Sequence, residues 1–179
     1  MTNKSYFFIA LLSFIMALLL FAYQKEFIII RIGTKKTIVE DTVQAYKKNI
    51  ILFYWNNDWH TEEVPLLLSN HAISNLQQVI SQWVQLLTEE KILTKKVTLQ
   101  AVLMNYDGNE LFISFDRVPW NKQNSTFEKW MAIEGLLKTL RTFDSTIKKV
   151  RFLISHQQMK DTHLNFTNSW PITGFIENK

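Results

Sequence analysis

The chain has 179 residues, twenty of them Lys or Arg against sixteen Asp or Glu, with four Gly and no Cys. The missing Cys excludes disulfides, thiol chemistry, thiolate metal sites and lipidation at a cysteine. The mild basicity comes without an Arg-rich run or a Gly-aromatic RNA signature, which argues against nucleic acid as a partner, and so few Gly give no phosphate loop.

The first element is apolar. Residues 6–23 read YFFIALLSFIMALLLFAY, with no charge. About twenty such residues span a bilayer core. A cleaved signal peptide would end in a small-x-small site. Here Ala22 follows bulky Leu20 by two positions, so residues 1–24 are predicted to be an uncleaved transmembrane signal anchor. Lys4 lies on one side, and Lys25, Arg31, Lys35 and Lys36 on the other, so the positive-inside count leaves orientation open. The default for an N-terminal anchor ahead of one folded domain is export, with the domain on the periplasmic or extracellular face. Residues 25–48 read as a linker.

From Asn49 to Lys179 about 130 residues remain, enough for one domain with a core. Ile50 to Trp55 are apolar, aromatic or β-branched and predict a strand buried on both faces. Asn56-Asn57-Asp58 is turn chemistry, because these side chains tolerate left-handed backbone. His60 to Leu67 returns as a short strand or irregular arm, with Pro65 marking an edge. Ile73, Leu76, Ile80, Trp83, Val84 and Leu87 recur at helical spacing and predict a helix over 70–90. Val97 to Leu103 and Leu111 to Phe115 alternate around Asp107-Gly108, which predicts a hairpin. Ser125 and Glu128 have capping-box spacing and open a second helix. Its face is traced by Phe127, Trp130, Met131, Leu137 and Leu140, with Glu134 as an odd carboxylate expected at an exposed rim, within reach of Lys138. Val150, Phe152 and Ile154 alternate in a last strand, and residues 156–175 form an arm over the sheet.

The order is strand, helix, hairpin, helix, strand. Each helix can cover the apolar face of the alternating strands. The fold class is therefore α+β, a two-layer α/β sandwich with a mostly antiparallel sheet covered on one face by two helices. The strand order stays open.

Candidate chemistry is sparse. Asp58 and His60 share a strand face but lack a visible nucleophile or metal. His156, Asp161 and His163 lack the one-turn helical spacing that aims two His at one metal. No catalytic residue, metal ligand or cofactor is predicted. The aromatic residues Trp55, Trp59, Trp120 and Trp170 fall at strand ends, loops or the tail, where Trp anchors a partner interface or caps a core. They are the candidate partner-binding residues. Convergence of the histidines would instead favour an envelope enzyme acting on cell wall or peptide, and an apolar pocket between helices and sheet a small-ligand module.

Several stretches resemble the GerMN-type domain of bacterial sporulation and envelope proteins. "IILFYWNNDWHTEEVPL" is similar to its opening strand, turn and return. "GNELFISFDRVPW" is similar to its hairpin-return strand, and "IEGLLKTLRTFDSTIKKVRFLIS" to its helix-to-strand passage. "HLNFTNSWPI" is similar to its closing tail. Ser155-His156-Gln157 stands where the family usually has Gly. The resemblance implies a non-catalytic, membrane-tethered extracytoplasmic domain in envelope assembly, with envelope or membrane proteins, or a second copy of itself, as partners and the N-terminal helix in the membrane.

Overall fold

The structure is a computed structural model that describes residues 12–14, 16, 45–93, 95–120 and 124–174. The chain divides into two units, Met1–Asp41 and Thr42–Lys179. Of the first, the described residues are helical and exposed. Most of the expected anchor and most of the expected linker lie outside the described residues. Among the described residues, no helix is long and apolar enough to cross a membrane.

The second unit runs β1 (Tyr46–Asn56), β2 (Asp58–Leu68), α1 (Ala72–Glu89), β3 (Leu99–Met104), β4 (Glu110–Phe115), α2 (Thr126–Phe143), β5 (Lys149–Ile154), β6 (Gln157–Gln158) and β7 (Trp170–Pro171). This is the strand, helix, hairpin, helix, strand order that the periodicity predicts. The segment after the first turn is a full eleven-residue strand rather than a short arm. Strands β1 and β2 form a separate two-stranded antiparallel ribbon, and the other strands form one sheet in the order β3-β4-β5-β6, with β7 also on β5. β3 and β4 pair antiparallel. β4 and β5 pair parallel, because α2 is the crossover between them and parallel neighbours need one.

β1 is not buried on both faces. Ile50, Leu52 and Tyr54 enter the core, whereas Ile51 is 42 % exposed. A ribbon of two strands has one face to give to the core, and period-two alternation sends the other to solvent. An isolated ribbon is marginal in water, and here two helices complete it. Phe53 turns its backbone groups away from β2. Its N–H donates to Thr139 Oγ1 at 2.9 Å, and its C=O accepts the Trp83 indole N–H at 2.8 Å. The Thr139 hydroxyl in turn donates to the Gly135 carbonyl one turn back at 2.9 Å. Gly135 brings α2 against β1, since a Cβ there would lie 2.8 Å from Phe53 O. On the far edge, Pro65 pairs with Asn49, four positions from the Phe53–Thr61 pair. Its missing N–H therefore falls on the outward side, where an edge strand tolerates Pro.

Helix α1 buries Leu76, Ile80, Trp83 and Leu87, the stripe seen in the sequence. Helix α2 opens with the expected capping box: Ser125 Oγ accepts from Glu128 N–H, and the Glu128 carboxylate accepts from Ser125 N–H at 2.7 Å. Ile113, Phe115, Val150 and Phe152 face the helices from the sheet. The opposite face carries Leu103, Phe112 and Leu153, which share one side by register. Leu103 is 61 % exposed.

Candidate binding surface at the hairpin tip

The β1–β2 turn is local chemistry. Asn57 alone separates the paired residues Asn56 and Asp58 and takes φ 62°, a left-handed state that Asn accepts more readily than most residues. Asp58 Oδ1 accepts the Trp59 N–H at 2.7 Å. The tight turn brings Trp55 opposite Trp59, with their rings edge to face at 5.5 Å. Phe127, from the first turn of α2, meets Trp55 edge to face at 5.6 Å. Lys138 Nζ lies 4.0 Å from the Trp59 ring centroid, a cation–π distance. Lys138 therefore serves Trp59.

The four candidate Trp form two groups. Trp55 and Trp59 sit together, half-buried, at the hairpin tip. Trp120 and Trp170 are buried and stack on either side of Phe166, at 5.8 and 5.2 Å. Trp170 also meets Phe152 edge to face, and its indole N–H donates to the Asn165 carbonyl at 3.2 Å. This second group seals the tail onto the end of the core.

The histidines do not converge. His60 stacks on Tyr54 in the ribbon at 5.3 Å, and His71 precedes α1. His156 lies in the β5–β6 turn, and His163 in the tail. Among the described residues no three metal-binding side chains gather. Asp161 is engaged otherwise: its Oδ2 takes a hydrogen bond from Lys129 Nζ at 2.8 Å, with Lys129 1 % and Asp161 7 % exposed at their side chains. Its Oδ1 accepts the His163 N–H at 2.9 Å. Burial pushes the Asp161 carboxyl up. The hydrogen bond and charge of Lys129, the His163 N–H and the nearby Trp120 indole outweigh that and hold it below the usual range. The buried Trp120 Nε1 still meets no acceptor in hydrogen-bond geometry.

Glu134 departs from expectation. It is 1 % exposed, not at a rim. Its carboxylate sits against Gly174, where a Cβ would overlap it. Arg141 Nη2 approaches it at 4.0 Å. Arg141 Nη1 also donates to Thr173 O at 2.7 Å, so Glu134 and Arg141 together hold the tail.

A cleft of about 600 Å³ opens beside the aromatic tip, between the β1–β2 turn, Pro119-Trp120 and the start of α2. Trp55, Phe127 and Trp120 line it with Asn56, Asn57 and Asn124. Periodicity reads Phe127 and Trp130 as members of the apolar stripe. The structure instead leaves them 54 and 40 % exposed. Their place before the stripe's first deeply buried aliphatic residues was the available signal, whereas the amides could be found only once the turn and the helix start were brought together.

No family model matches the chain, and no curated protein does. Two solved structures are similar in backbone. A candidate lipoprotein from Clostridium perfringens is 15 % identical, with a TM-score of 0.45 over 71 % of this chain and 87 % of that one. The tandem GerMN domains of the sporulation protein GerM from Bacillus subtilis are 16 % identical, with a TM-score of 0.46 over 73 % of this chain and 46 % of that one. This chain therefore spans about half the length of the tandem protein, which carries the domain type that the sequence pattern resembles.

Proposed function

We propose that this chain is a membrane-anchored, extracytoplasmic, non-catalytic module that binds protein partners of the cell envelope. The observation that carries this is the uncovered face of the main sheet. Leu103 stands 61 % exposed; half-buried Phe112 pairs beside it, and half-buried Leu153 lies on the same side one strand further, opposite Ser114. Exposed contiguous apolar residues mark interaction surfaces. Arg151 packs over Phe112 at 5.6 Å and pairs with Glu110 at 3.3 Å, which gives the patch a polar border. The uncharged N-terminal run supports the anchor, and the dispersed histidines favour a module over an enzyme.

The test is a photoreactive amino acid at position 103 of the full chain in native membranes. A specific adduct with an envelope protein, lost on Leu153→Glu, is expected. Absence of any adduct, or adducts indifferent to Leu153→Glu, would remove this reading. Protease added to cells stripped of any outer membrane should digest the second unit. Protection of that unit in such cells, with digestion after lysis, would reverse the proposed orientation.

A further inference from the structure

We propose that the cleft at the hairpin tip binds a neutral oligosaccharide. It is distinct from the sheet face and stands on its own observations. The cleft's 600 Å³ falls within the roughly 300–1,000 Å³ of small-molecule sites. Trp55 and Phe127 meet at 88° between ring planes, which makes an aromatic corner at its side. Aromatic faces are electron-rich and attract the polarised C–H groups of a sugar ring.

The polar groups fit the same ligand. The side-chain amides of Asn56, Asn57 and Asn124 make no hydrogen bond to any described residue. Each amide both donates and accepts, as each sugar hydroxyl does. No Lys, Arg or His is among the described lining residues, so the described lining favours no anion. The start of α2 does not serve as an anion site either, because Ser125 and Glu128 close it with their own capping box. Among the described lining residues Glu128 is the one carboxylate, and it is committed to Ser125 N–H at 2.7 Å. Glycoside cleavage uses two facing carboxyl groups, so the cleft holds a sugar without cutting it. A peptide fits less well. The ribbon edge at Phe53, which could pair a peptide backbone, is already taken by Thr139 and Trp83.

The experiment is calorimetric titration of the full chain, in a sugar-free zwitterionic detergent, with triacetylchitotriose and with cellotriose. At least one should saturate. Phe127→Ala should weaken binding about tenfold, the weight of one stacked contact. Asn57→Gly keeps the left-handed backbone and removes only the amide; it should weaken binding at least about threefold. Both positions are exposed, so unchanged circular dichroism is expected in each variant. Gln157→Ala, on β6, should bind like the parent. Failure of both sugars to saturate overturns the proposal. So does sugar binding that Phe127→Ala and Asn57→Gly leave unchanged, or saturation by a proline-rich decapeptide with no response to either sugar.

Discussion

The indole Nε1 of Trp83 donates to the carbonyl of Phe53 at 2.8 Å, so a helix side chain occupies a position that a third strand would fill in a wider sheet. Trp83→Phe keeps an aromatic ring but removes the N–H with the five-membered ring, leaving that carbonyl unsatisfied beside a small cavity. We expect a loss of about 1–3 kcal/mol, read as a lower urea midpoint at unchanged slope. Thr139→Val should cost a similar amount by stranding the Phe53 N–H. Because both groups serve one residue, the double variant should deviate from additivity.

Gly135 permits the close passage of α2 over β1. Gly135→Ala gains about 1 kcal/mol of helix propensity. It also places a methyl group 2.8 Å from Phe53 O, and the contact is with backbone, which yields little. Net destabilisation of up to about 2 kcal/mol is expected, after setting an overpacking cost of roughly 1–3 kcal/mol against the propensity gain. A variant at least as stable as the parent in thermal unfolding would show that the helix can shift outward.

The Lys129–Asp161 pair sets an acid limit. The Asp161 carboxyl titrates lower in the folded chain than the ordinary aspartate value. Its contribution is therefore complete above the unfolded pKa of about 3.9 and is lost as pH falls through the lower folded value. Stability should drop below about pH 4. Asp161→Asn should flatten that part of the profile. Lys129→Met, which strands a buried carboxylate, should cost about 3–5 kcal/mol at neutral pH. A Lys129→Met variant of parental stability would show that water reaches Asp161.

Ser155 and His156 take φ 48° and 64° in succession, as the two central residues of the β5–β6 turn. That conformation strains L-residues by about 1–2 kcal/mol each. Ser114 Oγ accepts the His156 N–H at 2.9 Å, a backbone contact that any residue keeps. His156→Gly should therefore raise stability by about 0.5–1 kcal/mol, the relieved strain less the entropy cost of Gly. A lower melting temperature would mean that the His156 side chain contributes contacts of its own.

The residues best read from sequence are those whose partners are near in the chain. The α1 stripe, the Ser125–Glu128 box and the Asn57 turn each declare themselves within a few positions. The order of elements follows from them. Glu134 and Lys138 illustrate the opposite case. At i and i+4 they look like a helix ion pair, yet Gly174 buries the first and Trp59 draws off the second. Neither partner is adjacent in sequence. The same holds for β1, whose apolar run suggests two buried faces. Only the ribbon's separation from the main sheet shows that Ile51 faces water. Ser155 and His156 take left-handed backbone in succession after β5, where the sequence has no Gly to announce the turn. The aromatic side of the candidate cleft was visible as Trp55 and Trp59. Its amide side was not, because Asn124 and Asn57 come to line one cleft through the fold alone.

The bond from Phe53 N–H to Thr139 spans 86 positions. A ribosome delivers the ribbon first and α2 much later. Through that interval the outer edge of β1 carries a bare amide and an apolar neighbourhood, and it is open to any passing strand. The ribbon is thus the earliest part of this domain to be made and among the last to be completed. Its exposure time is set by translation speed between codons 53 and 139, and slow synthesis there should favour aggregation over folding.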